Sequence, residues 1–184
     1  MPTIILNPPA AVRNASDKWQ SLLDLRQGNV PVPQSGTLIT SSGRVIWRKR
    51  THRGGRDILL EQPYSEEYRE VEFIPSEAEY RVHVFRGEII LAQRKVPKED
   101  AHEFIRTRSH GWTLNRFAPV DLTSPLYCAS VRAVEILGLD FGAVDVLKRG
   151  RRDYVVLEVN TAPGLSEETV GCYAERMLRW WNEA

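Results

Sequence analysis

Three oxygen-bearing side chains stand out towards the end of the chain. Asp145 interrupts an otherwise apolar run from Phe141 to Leu147, and Glu158 and Asn160 lie in a second apolar run that ends Asn160-Thr-Ala-Pro-Gly164. Strand side chains alternate between faces, so Glu158 and Asn160 point the same way. Pairing of the two runs across the basic turn Lys148–Arg152 brings Asp145 beside them. Two carboxylates and one amide oxygen then converge as a hard oxygen set suited to Mg²⁺ bridging phosphates. The competing reading is a solvated sheet face carrying unrelated polar groups. A carboxylate inside so apolar a strand is costly unless compensated, which favours the metal set.

Two further groupings are weaker alone. Glu72-Phe73-Ile74 is followed by Glu79-Tyr80-Arg81-Val82, so one Glu closes a strand and another opens the next. An adenine ring fits against backbone groups at such a hinge, and a carboxylate seven residues on can accept from both ribose hydroxyls. Glu-rich strand ends are also common. The second grouping is Arg48-Lys49-Arg50-Thr51-His52-Arg53-Gly54-Gly55. Glycines let backbone N–H groups approach phosphate oxygens, and flanking cations neutralise them. It is no Walker loop, because no Gly-Lys-Ser/Thr opens a helix; a basic surface turn would have the same composition.

The elements that must hold these residues can be read from periodicity. Thr3–Leu6 reads as a short strand broken by Asn7-Pro8-Pro9. Ser16–Arg26 has helical apolar spacing (Trp19, Leu22, Leu23, Leu25), with Ser16 or Asp17 as cap and Gly28 as stop. Asn29–Gln34 is expected to be extended, held by its prolines. Strands are expected at Thr37–Thr40, Arg44–Lys49, Asp57–Glu61 and Arg69–Ile74, with Ser41-Ser42-Gly43 as a turn. Tyr80–Phe85 and Glu88–Gln93 form a hairpin closed by Arg86-Gly87. Pro97–Glu103 is expected to form a helical turn. Ser124–Leu137 reads as a helix stopped by Gly138. The last two strands are Phe141–Leu147 and Tyr154–Asn160. Glu167–Trp181 closes the chain as a helix with Val170, Tyr173, Ala174, Met177, Leu178 and Trp181 on one side. Hairpins mixed with a few helices define an α+β protein.

Composition narrows the function classes. The chain has 184 residues, 42% hydrophobic and 27% charged, which suits one globular domain or two small lobes. A formal net charge of +1 gives no bulk field that would select nucleic acid or an acidic membrane. Cys128 and Cys172 form no CxxC pair and read as reduced thiols rather than zinc ligands. The first ten residues lack the basic n-region of a signal peptide, and no window approaches a membrane span. The expected location is the cytoplasm.

In their order, Asn7-Pro8, Asp17-Lys18, Val30-Pro-Val-Pro33, Gly54-Gly55, Glu72…Glu79, Glu79-Tyr-Arg-Val-His-Val84, Asp145 and Leu157-Glu-Val-Asn-Thr-Ala-Pro-Gly-Leu165 resemble the ATP-grasp superfamily. The likeness is to its ribosomal-protein glutamate ligases and related phage-encoded proteins, and it covers nearly the whole chain. It implies two antiparallel lobes with ATP between them, residues 1–74 forming the first and 75–184 the second. It implies that Lys18 and one of Arg48 or Lys49 contact phosphates or base, and that Gly54 and Gly55 belong to a mobile phosphate-covering loop. Glu72, Phe73 and Ile74 would form the adenine hinge, and Glu79 would hold the ribose. Arg81, Lys95 and Asn115 or Arg116 would face the phosphate and acyl group, and Asp145, Glu158 and Asn160 would hold Mg²⁺. The implied reaction is ATP- and Mg²⁺-dependent amide bond formation through an acyl phosphate. Its alternatives are a kinase of the same fold, or a nucleotide-binding module acting through a partner.

The sequence departs from the family at Asp57, where its loop usually has Gly, and at its start, which lies almost at the core, so that the usual preceding domain is missing or vestigial. Something must then cover the open side of the cleft. A homodimer or a macromolecular acceptor is expected, with Trp180 or Trp181 near the contact, since two adjacent Trp residues on a helix cannot both face one core.

Overall fold

The structure, a computed structural model, describes residues 4–36, 44–51, 58–117 and 124–183. Two antiparallel sheets carry the chain. The smaller has strand order β2-β1-β3, from β1 (Val45–Lys49), β2 (Ile58–Leu59) and β3 (Tyr68–Glu72). The larger has order β6-β5-β4-β7-β8, from β4 (Ala78–Phe85), β5 (Glu88–Pro97), β6 (Trp112–Arg116), β7 (Phe141–Gly150) and β8 (Asp153–Asn160). The helices are α1 (Pro9–Ser16), α2 (Lys18–Gln27), α3 (Pro125–Ile136) and α4 (Glu167–Glu183).

The larger sheet has two unlike faces because its strands alternate. Val82, Val84, Ala92, Val144, Val146, Val156 and Val159 face one way, into a core with α3 residues Leu126, Tyr127, Ala133 and Val134. The other face carries Glu79, Arg81, His83 and Phe85 of β4 opposite Leu147, Asp145, Ala143 and Phe141 of β7. α4 covers the Phe85 end of that face: Tyr173 packs on His83 and Phe141, and Trp180 on Phe85 and Arg86. The Glu79–Arg81 end is left for the small sheet to approach.

Several expectations change. Residues 4–6 form no strand, and Pro8-Pro9 open α1 rather than break a strand, because Pro is tolerated at the first helical position. Asp17, not Ser16, caps α2, accepting from the Trp19 and Gln20 amides. Pro97–Glu103 holds no helix: Pro97 ends β5, and the next helical piece is the 3₁₀ turn Arg108–His110. The apolar residues expected on one side of α4 are split. Tyr173 is buried, while Val170, Leu178 and Trp181 are exposed, Trp181 by 54%. Thr37–Thr40 and the turn after it lie outside the described residues. The Arg86-Gly87 hairpin turn forms with both residues at positive φ, as a tight two-residue turn requires.

Asn7 ties the start of the chain to β7. At φ 55° it accepts through Oδ1 from the Asp140 and Phe141 amides at 2.8 and 3.0 Å, and donates through Nδ2 to the Phe141 carbonyl at 3.0 Å. Asn7→Ala would leave these groups unpaired and keep a non-Gly residue in the left-handed region. We expect it to lower the unfolding free energy by about 3 kcal/mol in urea titration; a loss under about 0.5 kcal/mol would mean the link is incidental.

Candidate functional site

The site is built on one row of residues crossing the larger sheet. Arg116 of β6 is in register with Gln93 of β5, Gln93 with Arg81 of β4, Arg81 with Asp145 of β7, and Asp145 with Glu158 of β8. Register places their side chains on one face, side by side. Arg81 donates to Asp145 through Nε and Nη2 at 2.7 and 2.8 Å, a two-pronged pair, and Lys95 lies 3.4 Å from the same carboxylate. Lys95 also donates to Glu79, and Arg106 stands 4.0 Å from Glu79. Glu158 accepts from Arg48 at 2.8 Å and lies 3.5 Å from Lys18, so β1 and α2 both reach the end of the row.

A β-bulge adjusts this edge. Asp145 pairs with Glu158 but Val146 with Val156, leaving Leu157 as the extra residue. Leu157 and Glu158 consequently both line one cavity. It measures about 440 Å³ and lies between the sheets, within the usual range for a small-ligand site. Its walls mix apolar and charged side chains, Arg44 among them over the Phe73 and Phe104 rings. Ile46, Phe73, Ile74, Phe104, Leu147 and Leu157 are among the apolar ones, and Arg48, Glu79, Lys95, Asp145 and Glu158 among the charged. Residues 103–107, in the loop between β5 and β6, close one side, held by Arg106, which donates to Ser76 Oγ at 2.9 Å.

The charges are set by burial against pairing. Burial opposes ionisation of Asp145, but Arg81 and Lys95 outweigh it, and its carboxyl lies below the ordinary value. Glu79 goes the other way: burial, with Asp145 nearby, raises it despite Lys95. Lys95 loses solvation yet is raised by Asp145 and Glu79. Beside the row, His83 is 1% exposed, 3.2 Å from the Tyr173 hydroxyl and 3.3 Å from Gln93 Oε1. Burial pushes its pKa down to about 4.

The expected site residues mostly gather here. Asp145, Glu158, Glu79, Lys95, Arg48, Glu72, Phe73 and Ile74 line the cavity. Arg81 and Lys18 do not line it but touch residues that do, Arg81 pairing with Asp145 and Lys18 lying 3.5 Å from Glu158. Asn160 lies two residues beyond Glu158, its amide 3.4 Å from the Ala143 carbonyl. Two residues stand apart. Lys49 is on the opposite face of β1, 3.1 Å from Glu67 and over the Tyr68 ring, because successive strand residues alternate; Arg48 is the inward cation. Arg116 shares the row but lies outside the cavity and pairs with Glu168 at 3.2 Å, while neighbouring Asn115 is exposed. Gly54, Gly55 and Asp57 fall at 52–57, outside the described residues. Gln93, His83 and Phe104 were not anticipated. Alternation from Arg81 would have found His83, and hairpin register would have found Gln93.

Among the described residues no three His, Cys, Asp or Glu side chains are grouped to hold a metal ion. The donor set is two carboxylates and an amide, too few for Mg²⁺ alone but fitting an ion that draws its remaining ligands from phosphate and water.

This architecture is the ATP-grasp fold. The PsnB ATP-grasp ligase complexed with a minimal precursor superposes with a TM-score of 0.69 at 21% identity, covering 94% of this chain and 64% of that one. D-alanine–D-alanine ligase from Bacillus anthracis does so with a TM-score of 0.69 at 14% identity, covering 94% and 65%. In sequence, the chain is 28% identical to a "Probable alpha-L-glutamate ligase" of Haemophilus influenzae strain PittEE, over 92% of this chain and 64% of that protein. A protein of the same name from Mannheimia succiniciproducens is also 28% identical, over 90% and 62%. The chain thus spans a little under two thirds of these curated relatives. No family profile matches it. None of the described helices is long and apolar enough to cross a membrane.

Burial of His83 makes stability depend on pH with a definite sign. Between its folded value near 4 and its ordinary value of 6.5, the unfolded chain binds the extra proton, so this contribution falls as pH drops through that window. From pH 7 to 5 it amounts to about 2 kcal/mol. His83→Gln should lose correspondingly less stability over the same interval in urea titration; identical losses would show that His83 is not held neutral.

Proposed function

We propose that this chain is an ATP- and Mg²⁺-dependent ligase that joins a carboxylate to an amine through an acyl phosphate. The observation that carries it is the placement of Asp145 and Glu158, adjacent in register, in a cavity that Ile46, Ile74, Leu147 and Leu157 also line and that the Glu72–Ile74 strand end bounds. An adenine ring suits the apolar cluster of Ile74, Leu147 and Leu157, and its triphosphate would run towards the row.

Bound Mg²⁺ would draw negative charge from the phosphates and offset it as the γ-phosphoryl group transfers. Asp145, Glu158 and Asn160 would hold it. Each carboxylate is now paired with cations, Asp145 with Arg81 and Lys95, Glu158 with Arg48 and Lys18. Those cations match the charge of incoming phosphates, so binding exchanges partners without leaving a buried charge alone. Arg81, between Asp145 and Gln93, would hold the transferring group beside the attacking carboxylate. Residues 103–107 would exclude water that hydrolyses an acyl phosphate.

The relatives support the substrate class. Two are named for glutamate ligation, and structural neighbours were solved with precursor peptides, among them PsnB and the macrocyclase MdnC from Microcystis aeruginosa. A peptide or protein would supply one reacting group. The exposed strip of Val170, Leu178 and Trp181 on α4 offers such a partner, or a second copy of the chain, an apolar contact.

ATP with Mg²⁺ should raise the melting temperature, and Glu158→Gln and Asp145→Asn should each remove most of the Mg²⁺-dependent part. Unchanged Mg²⁺-dependent stabilisation in both variants would remove these residues from the metal site. A pooled screen of carboxylates and amines should release ADP and form an amide; a phosphorylated product without an amide would make the enzyme a kinase.

A further inference from the structure

Gln93 is the member of the cross-sheet row whose chemistry remains unassigned. It is 5% exposed and sits in register between Arg81 and Arg116. Each of its row neighbours has a charged partner: Arg81 with Asp145, Asp145 also with Lys95, Glu158 with Arg48, Arg116 with Glu168. Only one end of Gln93 is engaged. Its Oε1 faces His83 Nε2 at 3.3 Å, and His83 Nδ1 faces the Tyr173 hydroxyl at 3.2 Å. Because Gln93 presents an oxygen, Nε2 of His83 must carry the proton, and Nδ1 accepts from Tyr173. The amide is therefore oriented by α4 through His83, with Nε2 turned away. Among the described residues no group accepts from that Nε2.

The residue is 5% exposed, but its Nε2 is not one of the buried atoms left without a partner: it still reaches water, and its N–H is open to an oxygen acceptor. The row says which acceptor. Strand spacing puts Gln93 about 10 Å from Asp145, two strands away, and Arg81 fills the strand between. Phosphates at Asp145 and Glu158 would leave the position over Gln93 to the group that receives the phosphoryl, which is a carboxylate.

We propose that Gln93 is a substrate-binding residue whose Nε2–H donates to an oxygen of the carboxylate being activated, holding it beside Arg81. This rests on the ligase reading above and adds where the carboxylate sits and what orients it. Glutamate at this position would keep an oxygen for His83 but set a negative charge against the substrate. Methionine would keep the bulk and lose the donor.

Two measurements test the assignment. In steady-state kinetics with the carboxylate selected by ADP release, Gln93→Met should raise the KM for that carboxylate about 10- to 100-fold, the range for a hydrogen bond to a charged group, and Gln93→Glu should raise it further. The KM for ATP should stay within about twofold in both. In ¹³C/¹⁵N NMR of the unsubstituted chain with Mg²⁺ and AMPPNP, the Gln93 side-chain amide pair, assigned by through-bond correlation to its own side-chain carbons, should shift on titration with N-acetyl-L-glutamate, which carries carboxylates and no amine. ADP release with unchanged carboxylate KM in both variants overturns the assignment and leaves the ligase standing. A saturable Gln93 shift without ADP release from any carboxylate supports the assignment and sinks the ligase. A Gln93 pair that does not move at saturating probe overturns the assignment even if both variants fail to fold.

Discussion

The pair between Arg81 and Asp145 is the contact on which the site depends. It joins adjacent strands of the larger sheet in register, two-pronged, with Asp145 only 4% exposed. A buried carboxylate without such a partner would take up a proton or destabilise the fold. With it, Asp145 stays ionised inside a hydrophobic sheet and keeps its negative charge facing the cavity. The pair sits within the continuous β4–β7 register, which aligns it with Gln93, Arg116 and Glu158 on the other strands.

The second constraint is balance. The inward face carries Glu79, Asp145 and Glu158 against Arg81, Lys95, Arg48, Lys18 and the more distant Arg106. Buried pairs of this kind add little net stability, because desolvation offsets attraction, but removing one partner is costly. Function is the better explanation for keeping so many. Arg48 and Lys18 also link the elements around the cavity. Arg48 reaches from the small sheet to the large one, and the Lys18 amide donates to the Arg50 carbonyl at 2.8 Å while Asp17 accepts from Arg50 Nε at 2.7 Å. A ligand that draws these cations away from Glu158 therefore acts on the junction between the sheets.

Much of this was legible in the sequence because strands alternate. The apolar runs around Asp145 and Glu158 dictated two neighbouring strands, and these two carboxylates meet in register, while Asn160, expected beside them, pairs with Ala143. Arg86-Gly87 marked its hairpin for an equally local reason. The misses have physical causes. Pro8-Pro9 carries the same signal at a helix start as at a strand break, so α1 was overlooked. Pro97–Glu103 lacks a local partner for its helical tendency, and tertiary contacts of residues 98–111 decide its path. The bulge at Leu157 inverts facing without any glycine to announce it. His83 and Gln93 are uninformative alone and become a unit only when hairpin register and the packing of Tyr173 are known. On α4, period 3.6 identified the helix but not which of two apolar stripes meets the sheet.

The central claim is that the cations around Asp145 and Glu158 hold the place of Mg²⁺ and phosphate. A crystal structure of the chain with Mg²⁺ and ADP tests it most directly. The account predicts a metal ligated by Asp145 and Glu158, with Arg48 moved from its 2.8 Å contact with Glu158 to a phosphate oxygen. Nucleotide bound elsewhere, or bound in the cavity with the Arg48–Glu158 and Arg81–Asp145 pairs intact and no metal between the carboxylates, would contradict it.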